Sequence, residues 1–284
     1  MLHTLDLSGS SIDRIPFTAA PRLKRLRLRS LPNPTSVSAI SWDRLVEVTV
    51  QEAQTISMVV EVIQCCPRLE SLSLMVKEGD DDGSLTSRSI TQHDTLGRLY
   101  LDPLPYLSAV TDRLTLPALT HLSLGYKPSK SLPRSRCSQL VAFFTRSNCE
   151  LQEFTLYGSK FGPGELLECL SHRSCQTLTE LAIQGHRYSN PIVDDELLIR
   201  LTYPDVDDDV PICPKLRHLG LMDCYRSDRP FPDLLGRMIQ SRCFGRAQDA
   251  QLRSLRLGWD SISREDYELL QFAQSNGGLE WSQI

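Results

Sequence analysis

Apolar and polar positions recur along the chain in one order: apolar, two variable residues, apolar, variable, apolar. The order occurs ten times. It runs Leu2-Leu5-Leu7, Leu23-Leu26-Leu28, Leu45-Val48-Val50, Leu69-Leu72-Leu74 and Leu96-Leu99-Leu101. It continues Leu119-Leu122-Leu124, Leu151-Phe154-Leu156, Leu178-Leu181-Ile183, Leu216-Leu219-Leu221 and Leu252-Leu255-Leu257, and an eleventh start falls at Leu279. Successive starts lie 21 to 38 residues apart, with a mean of about 28. Side chains alternate along a strand, so the second and third apolar residues of each motif share one side. The first ends the incoming loop and packs the same way. Each motif therefore predicts one short strand with an apolar and a polar face. A single unit buries too little surface to fold alone, and stacking shares its apolar side with its neighbours.

Helical spacing appears between several motifs. Ile56 to Cys66 carries Ile56, Val59, Val60 and Ile63 on one stripe ahead of Pro67. Leu140 to Phe144, Glu165 to Leu170 and Leu234 to Ile239 carry similar spacing. Ser263-Arg264-Glu265-Asp266 has the form of a capping box. The first two intervals, of 21 and 22 residues, are too short for a full helix and predict an extended or 3₁₀ return. The intervals starting at Leu119, Leu178 and Leu216 are long enough to hold surface loops, including Lys127 to Pro133 and Tyr203 to Asp209. A strand-centred repeat of about 20–29 residues is that of leucine-rich repeats. The expected fold is α/β: a leucine-rich-repeat solenoid, curved like a horseshoe. Its parallel sheet would line the concave face, with helices and loops on the convex face. One domain of ten or eleven irregular repeats would span residues 1–284.

Composition narrows the class. The net charge of -4 gives no basic field for nucleic acid or an anionic membrane. No apolar stretch approaches the roughly 18 residues of a membrane span. The N-terminus, MLHTLDLSGSSIDR, lacks the basic and apolar regions of a signal peptide. Nine scattered cysteines, with Cys65, Cys66 and Cys169 inside apolar helical runs, read as reduced, buried thiols. The expected location is intracellular, cytoplasmic or nuclear.

Local features are more specific than the repeat. Two strands are introduced by CPRLESLSL (from Cys66) and CPKLRHLGL (from Cys213). DDELLIRLTYP (Asp194 to Pro204) feeds the second, and LLGRMIQSR and LRSLRLGWD follow. These segments resemble the C-terminal repeat region of fungal F-box/leucine-rich-repeat proteins, most strongly from about Asp194 onward. The resemblance implies a module that recognises a ubiquitination substrate, while an upstream F-box docks the adaptor of a cullin-type ligase. The sequence starts inside its first motif with no F-box segment before it, so truncation is expected. Adaptor docking is carried over to no residue here.

Motifs for chemistry are weak. Cys169-x-x-His172-x-x-Cys175 has metal-like spacing but lacks the fourth ligand of a structural zinc site. Glu78 to Gly83 is acidic without the spaced ligands of a calcium loop. Gly158 to Gly164 lacks the ending of a phosphate loop and reads as a strand-to-helix turn. No catalytic residue, cofactor or metal is expected. The third, fifth and seventh motif positions face away from the core and nominate a protein-binding face. It holds Arg25, Arg27 and Arg29, then Arg98, Tyr100 and His121, and further on Glu153, Tyr157, Glu180, His218 and Arg256. Its N-terminal part reads as a basic strip, and Tyr and Arg are common at binding hot spots. The expected function is non-catalytic recognition of a protein partner, with neither nucleic acid nor membrane. Alternatives are the repeat region of an innate-immunity receptor, or a free-standing scaffold. From another class comes a GTPase-activating regulator, for which Arg29 or Arg98 would be the candidate finger.

Overall fold

The computed structural model describes residues 3–7, 22–30, 41–54, 56–76, 90–102, 110–125, 137–158, 161–185, 191–204, 211–225, 233–244, 251–258 and 262–283. Thirteen strands occur among them. They are β1 (Thr4–Leu7), β2 (Arg25–Ser30), β3 (Glu47–Gln54), β4 (Ser71–Val76), β5 (Thr91–Gln92), β6 (Arg98–Leu101) and β7 (Leu114–Thr115). They continue with β8 (His121–Gly125), β9 (Glu153–Tyr157), β10 (Glu180–Gln184), β11 (His218–Met222), β12 (Ser254–Leu257) and β13 (Glu280–Gln283). Eleven make one parallel sheet in sequence order, β1-β2-β3-β4-β6-β8-β9-β10-β11-β12-β13. Every motif has become a strand, including the eleventh after Leu279. The α/β repeat architecture expected from the pattern is therefore the one observed. The pairing of β5 with β7 in a separate two-stranded sheet was not legible in the motifs.

The chain divides into two compact units, Met1–Pro133 with Ala142–Cys149 and Arg134–Val141 with Glu150–Ile284. In the first, equivalent motif residues lie opposite one another: Leu26 pairs with Val48, Val48 with Leu72, Leu72 with Leu99, and Leu99 with Leu122. In the second, Phe154, Leu181, Leu219 and Leu255 form the same kind of row. These side chains are almost wholly buried, and burying each contributes roughly 1.5–3 kcal/mol before entropy is counted. Register follows, because a one-residue slip would turn every leucine to the polar side.

A backbone ladder reinforces that register one residue ahead of the strands. Within each unit, the residue after a first motif Leu donates its N–H to the carbonyl of its counterpart in the previous repeat. The steps in the first unit are Lys24 to His3 (3.0 Å), Val46 to Lys24 (2.8 Å), Glu70 to Val46 (2.8 Å), Gly97 to Glu70 (3.0 Å) and Thr120 to Gly97 (2.9 Å). In the second they are Thr179 to Gln152 (2.8 Å), Arg217 to Thr179 (2.9 Å), Arg253 to Arg217 (2.8 Å) and Glu280 to Arg253 (2.8 Å).

Among the described residues six helices have both ends defined: α1 (Ile56–Cys65), α2 (Cys137–Ser147), α3 (Pro163–Ser171), α4 (Asp195–Leu201), α5 (Leu234–Phe244) and α6 (Arg264–Gly277). Each of the five predicted helical segments coincides with one of them, Cys66 falling one residue past α1 and Ser263 capping α6. Trp42–Arg44 forms a 3₁₀ turn before β3, as the short interval there requires. Helix α4 was not predicted. Its signal was the cap: Asp194 Oδ1 accepts from Leu197 N at 2.9 Å, with Asp195 and Glu196 in the first turn. Gly158, at φ 63°, leaves β9, and Pro163 opens α3 after Gly162, so the described ends of the glycine-rich segment lie between strand and helix as it reads. The loops nominated at Glu78–Gly83, Lys127–Pro133 and Asp205–Asp209 lie outside the described residues.

Two buried polar groups organise the helices of the second unit. Arg242 of α5 is fully buried. Its guanidinium donates to the carbonyls of Leu201 (2.6 Å), Ile212 (2.8 Å) and Cys213 (3.1 Å), and lies 5.3 Å from the Tyr203 ring centroid. It thus ties the end of α4 to the segment that enters β11, across the long interval after Leu178. Asp266, in the first turn of α6, accepts from the Gly236 N–H of α5 at 2.7 Å, while Ser263 Oγ accepts from its own N–H at 3.0 Å.

Burial pushes the Asp266 carboxyl above the ordinary aspartate pKa, against the opposing pull of its hydrogen bonds. A carboxyl raised in the folded state binds more protons folded than unfolded. Its share of stability is present below the ordinary aspartate range and is lost as pH rises through the raised value. Asp266→Asn keeps an acceptor oxygen for Gly236 and removes the charge. The variant is expected to lose less stability than the parent as pH rises out of the ordinary aspartate range, read as denaturant midpoints. Parallel pH profiles for the two proteins would refute the assignment.

Candidate functional site

The outward side chains of the strands form the candidate site, and each unit holds its own part of it. Alternation places them there. In β2 the exposures alternate, with Leu26 and Leu28 buried and Arg25, Arg27 and Arg29 exposed.

In the first unit the parallel registers change the meaning of the arginines. Arg25 lies opposite Glu47, and its Nε reaches that carboxylate at 3.3 Å. Arg27 lies opposite Asp6, with Nη1 at 3.6 Å from the carboxylate. Arg29 Nε meets Glu52 at 2.5 Å. The expected basic strip is thus a set of ion-paired rungs between neighbouring strands. For two of the three the reason is local: Arg25 with Glu47 and Arg27 with Asp6 hold equivalent positions of consecutive motifs, and parallel pairing sets them side by side, whereas Glu52 lies opposite Ser30 and reaches Arg29 diagonally. That signal was present in the sequence and lay in the alignment of motifs, not in any one of them. Such half-exposed pairs contribute little to stability, about 0–1 kcal/mol each. Farther along, Arg98 lies opposite His121, and Tyr100 opposite Ser123. Tyr100 Oη donates to Asp102 at 3.3 Å, and Thr120 Oγ1 lies 2.8 Å from His121 Nδ1. Arg98, Tyr100 and His121 therefore form one polar neighbourhood across β6 and β8, while Arg29 is engaged by Glu52.

In the second unit Glu153, Glu180, His218 and Ser254 form one row across β9 to β12. The next outward row is Thr155, Ala182, Gly220 and Arg256. Tyr157, Gln184 and Met222 make the third. Small residues in the middle row leave a depression of about 180 Å³, with Tyr157 and Met222 on one side, Glu180 and His218 on the other and Arg256 at one end. Four nominated residues (Tyr157, Glu180, His218 and Arg256) converge on it. Glu153 stands beside Glu180 in register. The floor of Ala182 and Gly220 went unnoticed in the sequence. Its signal was two small residues at the same motif position in consecutive repeats. Neither the Glu180 nor the Arg256 side chain makes a hydrogen bond or ion pair among the described residues.

The histidine and cysteines of Cys169-x-x-His172-x-x-Cys175 have other partners. His172 caps the end of α3, and its Nδ1 accepts from Ser174 N at 3.2 Å. Cys169 is fully buried beside Cys137 and Cys175, and hydrogen bonding to those two thiols, with burial added, pushes its pKa well up. Among the described residues no three His, Cys, Asp or Glu side chains are grouped to hold a metal. His93 is likewise committed: its Nδ1 accepts from Leu96 N at 3.1 Å, and its Nε2 lies 2.8 Å from the Cys66 carbonyl in the core. Burial raises the pKa of the Cys66 thiol to about 12 and that of Cys243 to about 11, well away from the range of reactive thiolates. No helix among the described residues is long and apolar enough to cross a membrane. Compared with known proteins, the chain matches no family model and no curated protein.

Proposed function

We propose that this chain is a non-catalytic protein-recognition module whose strand face holds a partner. The observation that supports it is the outward rows themselves. Successive strands repeat one rigid scaffold while their exposed positions vary freely between Arg, Glu, His, Tyr and Met. A sheet that keeps its core constant and its outer face diverse is suited to reading a protein surface. The engagement of buried His93, half-buried His172 and the buried Cys169 cluster within the fold favours packing roles for the groups that resembled chemistry. Within this reading, the CPRLESLSL and CPKLRHLGL segments favour the substrate-binding part of an F-box-type ubiquitin ligase receptor, acting inside the cell.

Site-specific photo-cross-linking tests the reading. A photoreactive residue at Tyr100 or at Tyr157 reports on the strand face of each unit, and one at the exposed Glu168 of α3 reports on a helix. In cells that express the protein, the strand-face positions are expected to capture one recurrent partner that the Glu168 position does not. Ubiquitination of that partner is expected to rise with the abundance of the protein in which the repeats sit. Equal capture from all three positions would overturn the recognition role of the strands. A recurrent partner whose ubiquitination is indifferent to the protein would remove the ligase half alone.

A further inference from the structure

The strand face of the second unit carries a more specific chemistry than partner binding in general. Its charges are separated. Glu153 and Glu180 lie in register on β9 and β10, both half-buried. Neighbouring strands run about 4.8 Å apart, so one cation can meet both carboxylates. Arg256 stands exposed on β12, in register with Gly220 of β11. Between these ends the face drops to Ala182 and Gly220. A Cβ built on Gly220 would lie only 3.5 Å from the Ala182 Cβ, so these two positions pack together as a floor without side-chain bulk above it. The half-buried Tyr157 and Met222 supply apolar contact at its side.

We propose that this face binds an extended peptide segment of a partner protein bearing a cation and a carboxylate three or four residues apart, with an apolar side chain between them. The cation meets Glu153 and Glu180, the apolar side chain fills the depression beside Tyr157 and Met222, and the carboxylate meets Arg256. The spacing follows from geometry. From β10 to β12 is two strand spacings and from β9 to β12 three, roughly 10–14 Å. An extended chain advances roughly 3.3–3.6 Å per residue, which gives three or four residues. The depression, at about 180 Å³, is smaller than the roughly 300–1,000 Å³ of small-molecule sites and suits one inserted side chain. The glutamate pair repels phosphates, which disfavours a nucleic acid or phosphopeptide running across it. Opposite charges at the two ends also fix the direction in which the segment lies. This inference rests on the recognition reading above and narrows it to one unit and one ligand pattern.

The test is selection of randomised nine-residue peptides on the full chain. The original protein is expected to enrich Lys or Arg, then a large apolar residue, then Asp or Glu, with the charges three or four positions apart. Glu180→Arg is expected to weaken the selected peptide at least tenfold and to favour peptides with an acidic residue in place of the cation. Arg256→Glu is expected to reverse the preference at the other end. Both substitutions are at outward positions, and unfolding midpoints matching the parent establish that the fold is kept. Enrichment indifferent to both substitutions, or no enrichment, overturns the proposal. Strand-face cross-linking combined with either of those results leaves the recognition reading standing and removes only this refinement. Cross-linking without face preference removes the recognition reading itself.

Discussion

Replacing Arg242 with methionine is expected to lower the unfolding free energy by about 3–5 kcal/mol. Methionine fills much of the same volume, so the loss is not chiefly a cavity. It arises from three carbonyls, those of Leu201, Ile212 and Cys213, that lose their donor in a region shielded from water. Each stranded buried acceptor costs roughly 1–3 kcal/mol. Part of that sum is offset, because the parent protein already bears the cost of burying a cation with no carboxylate beside it among the described residues. Burial draws the guanidinium pKa down, which is the same cost seen from the titration side. Arg242→Lys is expected to fall between the two. An ammonium is a compact point donor and cannot reproduce a planar fork aimed at three separate acceptors. Guanidinium chloride unfolding, followed by circular dichroism, measures both variants. A methionine variant within about 0.5 kcal/mol of the parent would show that the three hydrogen bonds are dispensable.

Gly185→Ala is expected to cost about 3 kcal/mol or more. Gly185 follows β10 and donates to the Met222 carbonyl at 2.7 Å. A Cβ at this position would sit 2.1 Å from the Asp223 carbonyl oxygen, 2.8 Å from its carbon and 2.9 Å from the Cys224 Cα. All three are backbone atoms and cannot swing away as a side-chain tip would. The opposing turn is already constrained, because Asp223 has a φ of 48°. Gly164 provides the contrast. It lies in the first turn of α3, and a Cβ there meets nothing within 4 Å. Gly164→Ala should be neutral or gain up to about 1 kcal/mol through helix propensity. Thermal melts of the two variants side by side separate steric exclusion from a general intolerance of glycine replacement. If Gly185→Ala melts with the parent, the close approach of the two turns is wrong.

The strands were legible because their signal is redundant. Each leucine motif sets spacing, face and register together, and the ten full motifs agree with one another. Helix α4 was less visible, since seven residues hold barely two turns of periodicity and its strongest mark is the Asp194 cap. The face was legible residue by residue but not in its pairings. Arg25, Arg27 and Arg29 read as a basic strip until the neighbouring strands brought Glu47, Asp6 and Glu52 alongside. The depression over Ala182 and Gly220 is a property of two motifs placed together, and neither residue is conspicuous alone. The clamp of Arg242 depends on carbonyls at Leu201, Ile212 and Cys213, up to 41 residues away. Backbone acceptors leave no trace in residue identity, so no pattern search would have found that site.

The backbone ladder ahead of the strands bears on how such a chain can change over time. Each rung joins a residue only to its counterpart one repeat away, as in Gly97 to Glu70 or Arg253 to Arg217. Between rungs, helices such as α5 are held by their own packing, while the surface loops that join them are constrained chiefly at their ends. Lengthening a flexible connection costs only about 0.6 kcal/mol per doubling. Intervals of 21 and 38 residues can therefore be carried by the same strand-to-strand grammar. Insertions and deletions in the loops between motifs therefore cost the fold little, while exchanging a leucine that holds the register costs it much.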